Sequence, residues 1–205
     1  MTEKERMLNG DLYLDTDPEL LMLLGKSKRF CARYNRTRAL AFKKREMMLR
    51  RFLKSVGKNV CINPPFYCDY GCHISVGDNF FANFDCILLD VNTITIGNNV
   101  LFGPRVCLFT AGHPLDAGVR RELLEFGKPI VIGDDVWIGG NVTVNPGVTI
   151  GSNVVIGSGS VVTKDIPSGV VAAGNPCRVL RELTDKDRAE WEAQKQAYWD
   201  SKKRK

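Results

Sequence analysis

The chain has 205 residues, 44% of them hydrophobic and 25% charged, with a formal net charge of +6. That size and balance describe a single globular domain with a sizeable core, and no apolar run is long enough to span a membrane. An N-terminus charged from its third residue (MTEKERMLNG) predicts no secretory leader, and seven cysteines without a CxxC pair predict reduced thiols in the cytoplasm rather than a zinc site.

Residues 1–56 read as a helical region. Thr2 and Glu5 have capping-box spacing, and Asp17 followed by Pro18 is an N-cap with proline at the first helical position. Between Lys26 and Lys54 the basic residues crowd together, with Glu46 the one acid among them. Such a stretch can attract nucleic acid, but Leu49, Phe52, Leu53 and Val56 supply an apolar stripe at i, i+3, i+4, i+7. The cations then read as the solvated side of amphipathic helices, and no nucleic-acid partner is expected. General attraction of an anionic co-substrate is a third reading.

From residue 57 to 180 the composition turns to Val, Ile, Gly and Asn, arranged with a period of six. ISVGDN starts at Ile74 and FFANFD at Phe80, followed by ITIGNN at Ile94 and VLFGPR at Val100. The series resumes with IVIGDD at Ile130 and continues through VWIGGN, VTVNPG, VTIGSN, VVIGSG and SVVTKD to IPSGVV at Ile166. A period of six is not a multiple of 3.6, and β-branched residues beside glycine weaken a helix. Alternating runs of three or four residues, each ended by a turn signal, instead build a β-solenoid in which three hexapeptides make one coil. Its bare ends need the flanking helical regions as caps.

Two breaks interrupt the rhythm. The phase slips by two residues before Ile94, and an excursion at about 111–128, AGHPLDAGVRRELLEFGK, looks nothing like a coil. A loop thrown out from a rigid scaffold is where function concentrates. After residue 181 the chain, to 205, becomes charged and helical again, with Thr184 or Asp185 as the cap.

The hexapeptide series, together with YCDYG, FANF, GHP and AGNPCR, resembles the hexapeptide-repeat acetyltransferases, and within them the maltose and galactoside O-acetyltransferases. The likeness runs almost end to end. It implies a mainly β fold, a left-handed parallel β-helix with N-terminal helices and a short C-terminal helix. It also implies a homotrimer with sites between subunits, acetyl-CoA as co-substrate, a maltose- or glucose-like sugar acceptor and no metal. By the same resemblance His113 is the catalytic residue, and Asp15, Asp69 and Asn83 bind the acceptor. Gly140, Ser158, Thr163, Lys164, Arg178 and Arg181 contact acetyl-CoA. The galactoside enzymes carry serine where Asp69 stands and aspartate where Val91 stands, so the chain leans to the maltose side.

The residues themselves suit that chemistry. A sugar hydroxyl attacks a thioester only when a base takes its proton, and histidine is the side chain matched to neutral pH. Of the two histidines, His113 lies in the excursion, whereas His73 sits in a strand region and reads as structural. A backbone N–H at Gly140 either donates to the oxyanion or merely eases a corner. Asn83 either orients acceptor or imidazole or marks a tight turn. Asp15 and Asp69 either bind sugar hydroxyls or cap a helix and a turn. Lys164, Arg178 and Arg181 either meet the anionic end of the co-substrate or serve solubility. Trp137 is expected to pack, with contact to the CoA pantetheine as the lesser reading. Two histidines without HxxxxH spacing argue against the three-histidine zinc site of γ-type carbonic anhydrases, and the GHP excursion argues against a pure scaffold. Another hydroxyl acceptor, such as an antibiotic, or an amino acceptor such as an amino sugar stays open. Cys86 and Cys107 lie in apolar runs, and only Cys177, beside Arg178, has a neighbour that favours a thiolate, so direct transfer is expected rather than an acetyl-cysteine intermediate.

Overall fold

The computed structural model describes residues 1–203. Each hexapeptide contributes a strand of two or three residues and a turn. Alternation along the strand sends its first and third residues inward. Thus Ile94 and Ile96, Ile130 and Ile132, Val136 and Ile138, and Val154 and Ile156 are all buried in one continuous core. Ser160, the polar exception at a first place, is buried but satisfied: its hydroxyl donates to the Gly157 carbonyl and accepts from the Gly174 N–H. The sixth place turns the corner in the left-handed backbone region, where Asn and Asp are tolerated: Asn79, Asn99, Asp135 and Asn153 have φ of 57°, 56°, 57° and 54°. Coils stack so closely that a Cβ on Gly97 would lie 2.7 Å from the Gly133 backbone, which is why glycine holds the fourth place.

The strands form three parallel faces. The first contains Ser55–Val56, Ile74–Val76, Ile94–Ile96, Ile130–Ile132 and Thr149–Ile150. The second runs from Cys61–Ile62 through Phe81–Ala82, Leu101–Phe102, Trp137–Ile138 and Val155–Ile156 to Val170–Ala173. The third contains Phe66–Cys68, Cys86–Leu89, Cys107–Phe109, Thr143–Val144 and Val161–Val162. The two-residue slip in the repeat is a wide corner between the third and first faces. There the buried Asp90 carboxylate accepts from the backbone N–H groups of Asp69, Tyr70 and His73 at 3.1, 2.8 and 3.2 Å.

Helix α1 (Glu3–Asn9) packs beside Tyr13–Leu14 and the strand Leu124–Gly127 of the excursion, while α2 (Pro18–Asn35) and α3 (Phe42–Phe52) cap the first coil. Thr2 and Glu5 form the expected capping box, and Asp17 caps α2 with Pro18 at its start. Tyr34, Leu49 and Leu53 join the solenoid core, and the Tyr34 hydroxyl donates to the Ile62 carbonyl at 2.7 Å. The expected apolar stripe outruns its helix: Leu53 is already extended, so Val56 packs from the first strand. At the other end Arg178–Glu182 folds back antiparallel onto Val170–Ala173, a strand the sequence reading did not anticipate. After the excursion's short α4 (Ala117–Arg120), the last helix is α5 (Asp185–Lys203), which buries no residue. Among the described residues no helix is long and apolar enough to cross a membrane.

Candidate active site

The excursion is an ordered element. Ala111–Gly112 pairs antiparallel with Leu124–Gly127, and Tyr13–Leu14 adds to the other edge with Tyr13 opposite Glu125. At its tip Asp116 caps α4 by accepting from the Val119 N–H at 2.9 Å. Gly112 passes so near the Phe126 ring that a Cβ would sit 2.6 Å from it. Asn92, buried in the wide corner, donates to the carbonyls of Met7, Leu8 and Gly127 at 3.2, 3.1 and 3.1 Å. One side chain therefore ties α1, the excursion and the solenoid together.

His113 leaves this small sheet with its side chain 56% exposed, and its Nε2 lies 3.7 Å from Glu125 Oε1. That is beyond hydrogen-bonding distance, and it becomes a charge contact only when the imidazole is protonated. The second Glu125 oxygen accepts from the Tyr13 hydroxyl at 2.7 Å. Burial, then the bond to Glu125, pushes the Tyr13 phenol well above its ordinary range, so it stays a neutral donor. The order Tyr13–Glu125–His113 resembles a base held by a carboxylate that is itself held by a donor. Neither Glu125 nor Tyr13 was singled out from the sequence. Glu125 was one of several acids in an irregular segment, and Tyr13 reaches it only through pairing across more than 100 residues.

Asp69 and Asp15 belong to the same corner. Burial raises the Asp69 carboxyl to about 6, helped by the charges of Asp90 and Glu125 and opposed by Lys28. Asp15 presents a buried Oδ1 with no hydrogen-bond partner. It does not cap α2, because Asp17 does so by accepting from Glu19 and Leu20. Asp90 is also raised to about 6, by burial against the pull of its backbone donors, and its carbonyl oxygen lies 2.7 Å from His73 Nδ1. His73 is buried, lowered by burial, and part of the corner.

The remaining expected residues divide between corners. Thr163 and Lys164 follow Val161–Val162 on the corner that carries Asp69 and the excursion, and both are exposed. Asn83, Gly140 and Ser158 stack along a different corner, between the second and third faces. There the Asn83 N–H donates to Phe102 and Gly139 donates to Ile156. Asn83 Oδ1 accepts from the Phe84 N–H at 2.9 Å. The Gly140 N–H has no partner within the described residues, whereas its neighbours Gly139 and Asn141 are both bonded. Arg178 and Arg181 lie on the returning strand, and Arg181 pairs with Asp187 of α5 at 2.8 Å. A single chain thus assembles Asp15, Asp69 and His113 on one corner but holds Asn83, Gly140 and Ser158 on another.

Trp137 does not pack inside as expected. It occupies the second place of its hexapeptide, points outward and is 54% exposed. The Cys177 thiol is buried and pushed up by burial, which outweighs the Ser160 bond and the Arg178 charge.

Residues 129–164 match the bacterial transferase hexapeptide family (six repeats), and residues 6–57 match the maltose acetyltransferase hexapeptide capping motif. The galactoside O-acetyltransferase of Escherichia coli K12 is 44% identical, over 92% of this chain and 93% of that protein. A crystal structure of a maltose O-acetyltransferase from Clostridium difficile 630 superposes with a TM-score of 0.89 at 51% identity, covering 90% of this chain and 98% of that one. A galactoside acetyltransferase in complex with coenzyme A superposes with a TM-score of 0.88 at 44% identity, covering 92% and 94%.

Proposed function

The chain belongs to the hexapeptide-repeat acetyltransferases of the galactoside and maltose O-acetyltransferase type, and on that premise we propose that it acetylates a hydroxyl of a maltose- or glucose-like sugar, with acetyl-CoA as donor and His113 as general base. The observation that carries the reading is the Tyr13–Glu125–His113 arrangement beside two carboxyls, Asp69 and Asp15, that have few partners of their own. His113 takes the hydroxyl proton as the sugar oxygen bonds to the thioester carbon. Glu125 stabilises the imidazolium that results, and Asp15 and Asp69 accept from other hydroxyls of the ring. When the carbon–sulfur bond breaks, the imidazolium returns the proton to the departing thiolate.

The oxyanion needs a donor, and the Gly140 N–H is unspent. It lies on the corner with Asn83 and Ser158, away from His113 in the same chain. This split supports a homotrimer in which the His113 corner of one copy faces the Gly140 corner of the next. Thr163 and Lys164 on the first corner, and Arg178 and Arg181 beyond the second, then meet the thioester's nucleotide end as exposed donors and cations. Unpaired thiols throughout suit a reducing cytoplasm.

Acceptors tested side by side (maltose, glucose, a galactoside, glucosamine, chloramphenicol) for release of the CoA thiol give the direct test. The reading predicts fastest turnover with maltose or glucose and intersecting initial-rate lines. Preference for glucosamine or chloramphenicol would move the acceptor class, and parallel lines with a trapped acetyl-protein would replace direct transfer with a cysteine route.

A further inference from the structure

The cap carries a second feature, formed by residues outside those assigned to acetyl transfer. Helices α2 and α3 leave between them a groove of about 670 Å³. Lys26, Arg29 and Arg33 rim it from α2, and Lys44 and Arg51 from α3. Phe30, Met47, Met48 and Phe52 form its floor. On both helices the lining follows i, i+3, i+4, i+7, so each turns one whole stripe into the groove. These five cations are exposed on the solvated side of the two helices, and they converge on one groove.

Its charge is unbalanced. No acid lines the groove, and among the described residues none of the five cations makes an ion pair or a side-chain hydrogen bond. Two cations of the same run are satisfied elsewhere: Arg50 pairs with Glu46, and Arg45 is buried on the carbonyls of Arg38 and Ala39. Five like charges around one cleft repel one another, and an anion relieves that repulsion.

The floor narrows the class of ligand. It offers no neutral hydrogen-bonding side chain, so a sugar or other uncharged polar molecule finds no partner. The Phe30 and Phe52 rings stack on each other, centroids 3.7 Å apart and 9° from parallel, so the facing side of each ring is closed to a nucleobase. Methionines adapt to flexible chains. The volume lies within the ~300–1,000 Å³ of small-molecule sites. The groove is about two helical turns, or roughly 10 Å, long, and far fewer residues line it than the roughly 20–30 a side of a protein–protein interface.

We propose that this groove binds a single-chain amphiphile with an anionic head, its alkyl chain on Phe30, Met47, Met48 and Phe52 and its head on the cation rim. The test is calorimetric titration of the full chain with decyl phosphate below its critical micelle concentration. Parallel titrations use inorganic phosphate, a neutral decyl ethylene-glycol ether and anionic phospholipid vesicles. The expected result is saturable binding at one per chain that weakens with salt and falls about tenfold or more in Lys26→Glu/Arg29→Glu. Met47→Gln, polar but uncharged, should weaken the alkyl probe and leave inorganic phosphate unchanged. All three residues are exposed, so the variants should keep the wild-type circular dichroism and Tm, which verify their fold. Absence of saturable binding, equal binding by the double variant, or equal binding of the neutral ether or of inorganic phosphate overturns the proposal. Binding to vesicles without binding of the monomeric probe also overturns it, in favour of a membrane surface.

Discussion

A histidine that is more than half exposed is not held by packing, so its orientation depends on what it touches. For His113 that is Glu125, fixed in turn by a neutral Tyr13. Replacing His113 with alanine should lower kcat by roughly 10²- to 10⁴-fold while acetyl-CoA still binds. Glu125→Gln keeps the Tyr13 bond and loses the charge, so kcat should fall by roughly tenfold, about 1.4 kcal/mol, with the KM for acetyl-CoA unchanged. A His113→Ala enzyme retaining more than half the wild-type rate would remove the base assignment. Asp69 makes a different prediction. Its folded carboxyl titrates near 6, above the ordinary range, so the folded chain holds that proton more tightly than the unfolded chain. The ionised form therefore costs stability above pH 6, and the cost vanishes as pH falls through the ordinary carboxylate range. Asp69→Asn should raise Tm at pH 8 and not at pH 4, while raising the KM for the sugar. A variant less stable at pH 8 would contradict the burial argument.

At the scale of elements, the parts of the fold legible in the sequence were those with local causes. The hexapeptide places that had to be apolar are buried, and the caps Thr2 with Glu5 and Asp17 with Pro18 form as their spacing requires. Elements made by distant pairing were not legible. Leu124–Gly127 is too short and irregular to read as a strand, and it exists because Ala111–Gly112 and Tyr13–Leu14 flank it and Asn92 pins it. The roles of Glu125 and Tyr13 were hidden for the same reason, whereas His113 stood out by rarity and position. Arg178–Glu182 was likewise unforeseen, and its fold-back gives Arg178 and Arg181 a rigid base. Changing both arginines to glutamine should raise the KM for acetyl-CoA and leave the sugar KM nearly unchanged, and added salt should mimic the effect. An effect confined to the sugar KM would mean that the two ends of the site are reversed.

Over the whole molecule, the solenoid works as a ruler. Its coils stack at fixed spacing, so residues on one corner form a column whatever their separation in sequence. The column with Asp69, the excursion, Thr163 and Lys164 carries His113, the proposed base, and the column with Asn83, Gly140 and Ser158 carries the unspent Gly140 N–H. No periodicity in one chain could say whether two columns belong to one site, and the expectation of a trimer comes only from the resemblance. If neighbouring copies join these columns, two inactive variants should repair each other. His113→Ala lesions one column and Gly140→Val the other, and each pure assembly should be inactive. After the two are unfolded, mixed in equal amounts and refolded, random trimers should have about one quarter of their sites intact and recover about that share of wild-type activity. Mixed trimers that form but remain inactive would contradict the shared site and place the whole reaction within a single chain.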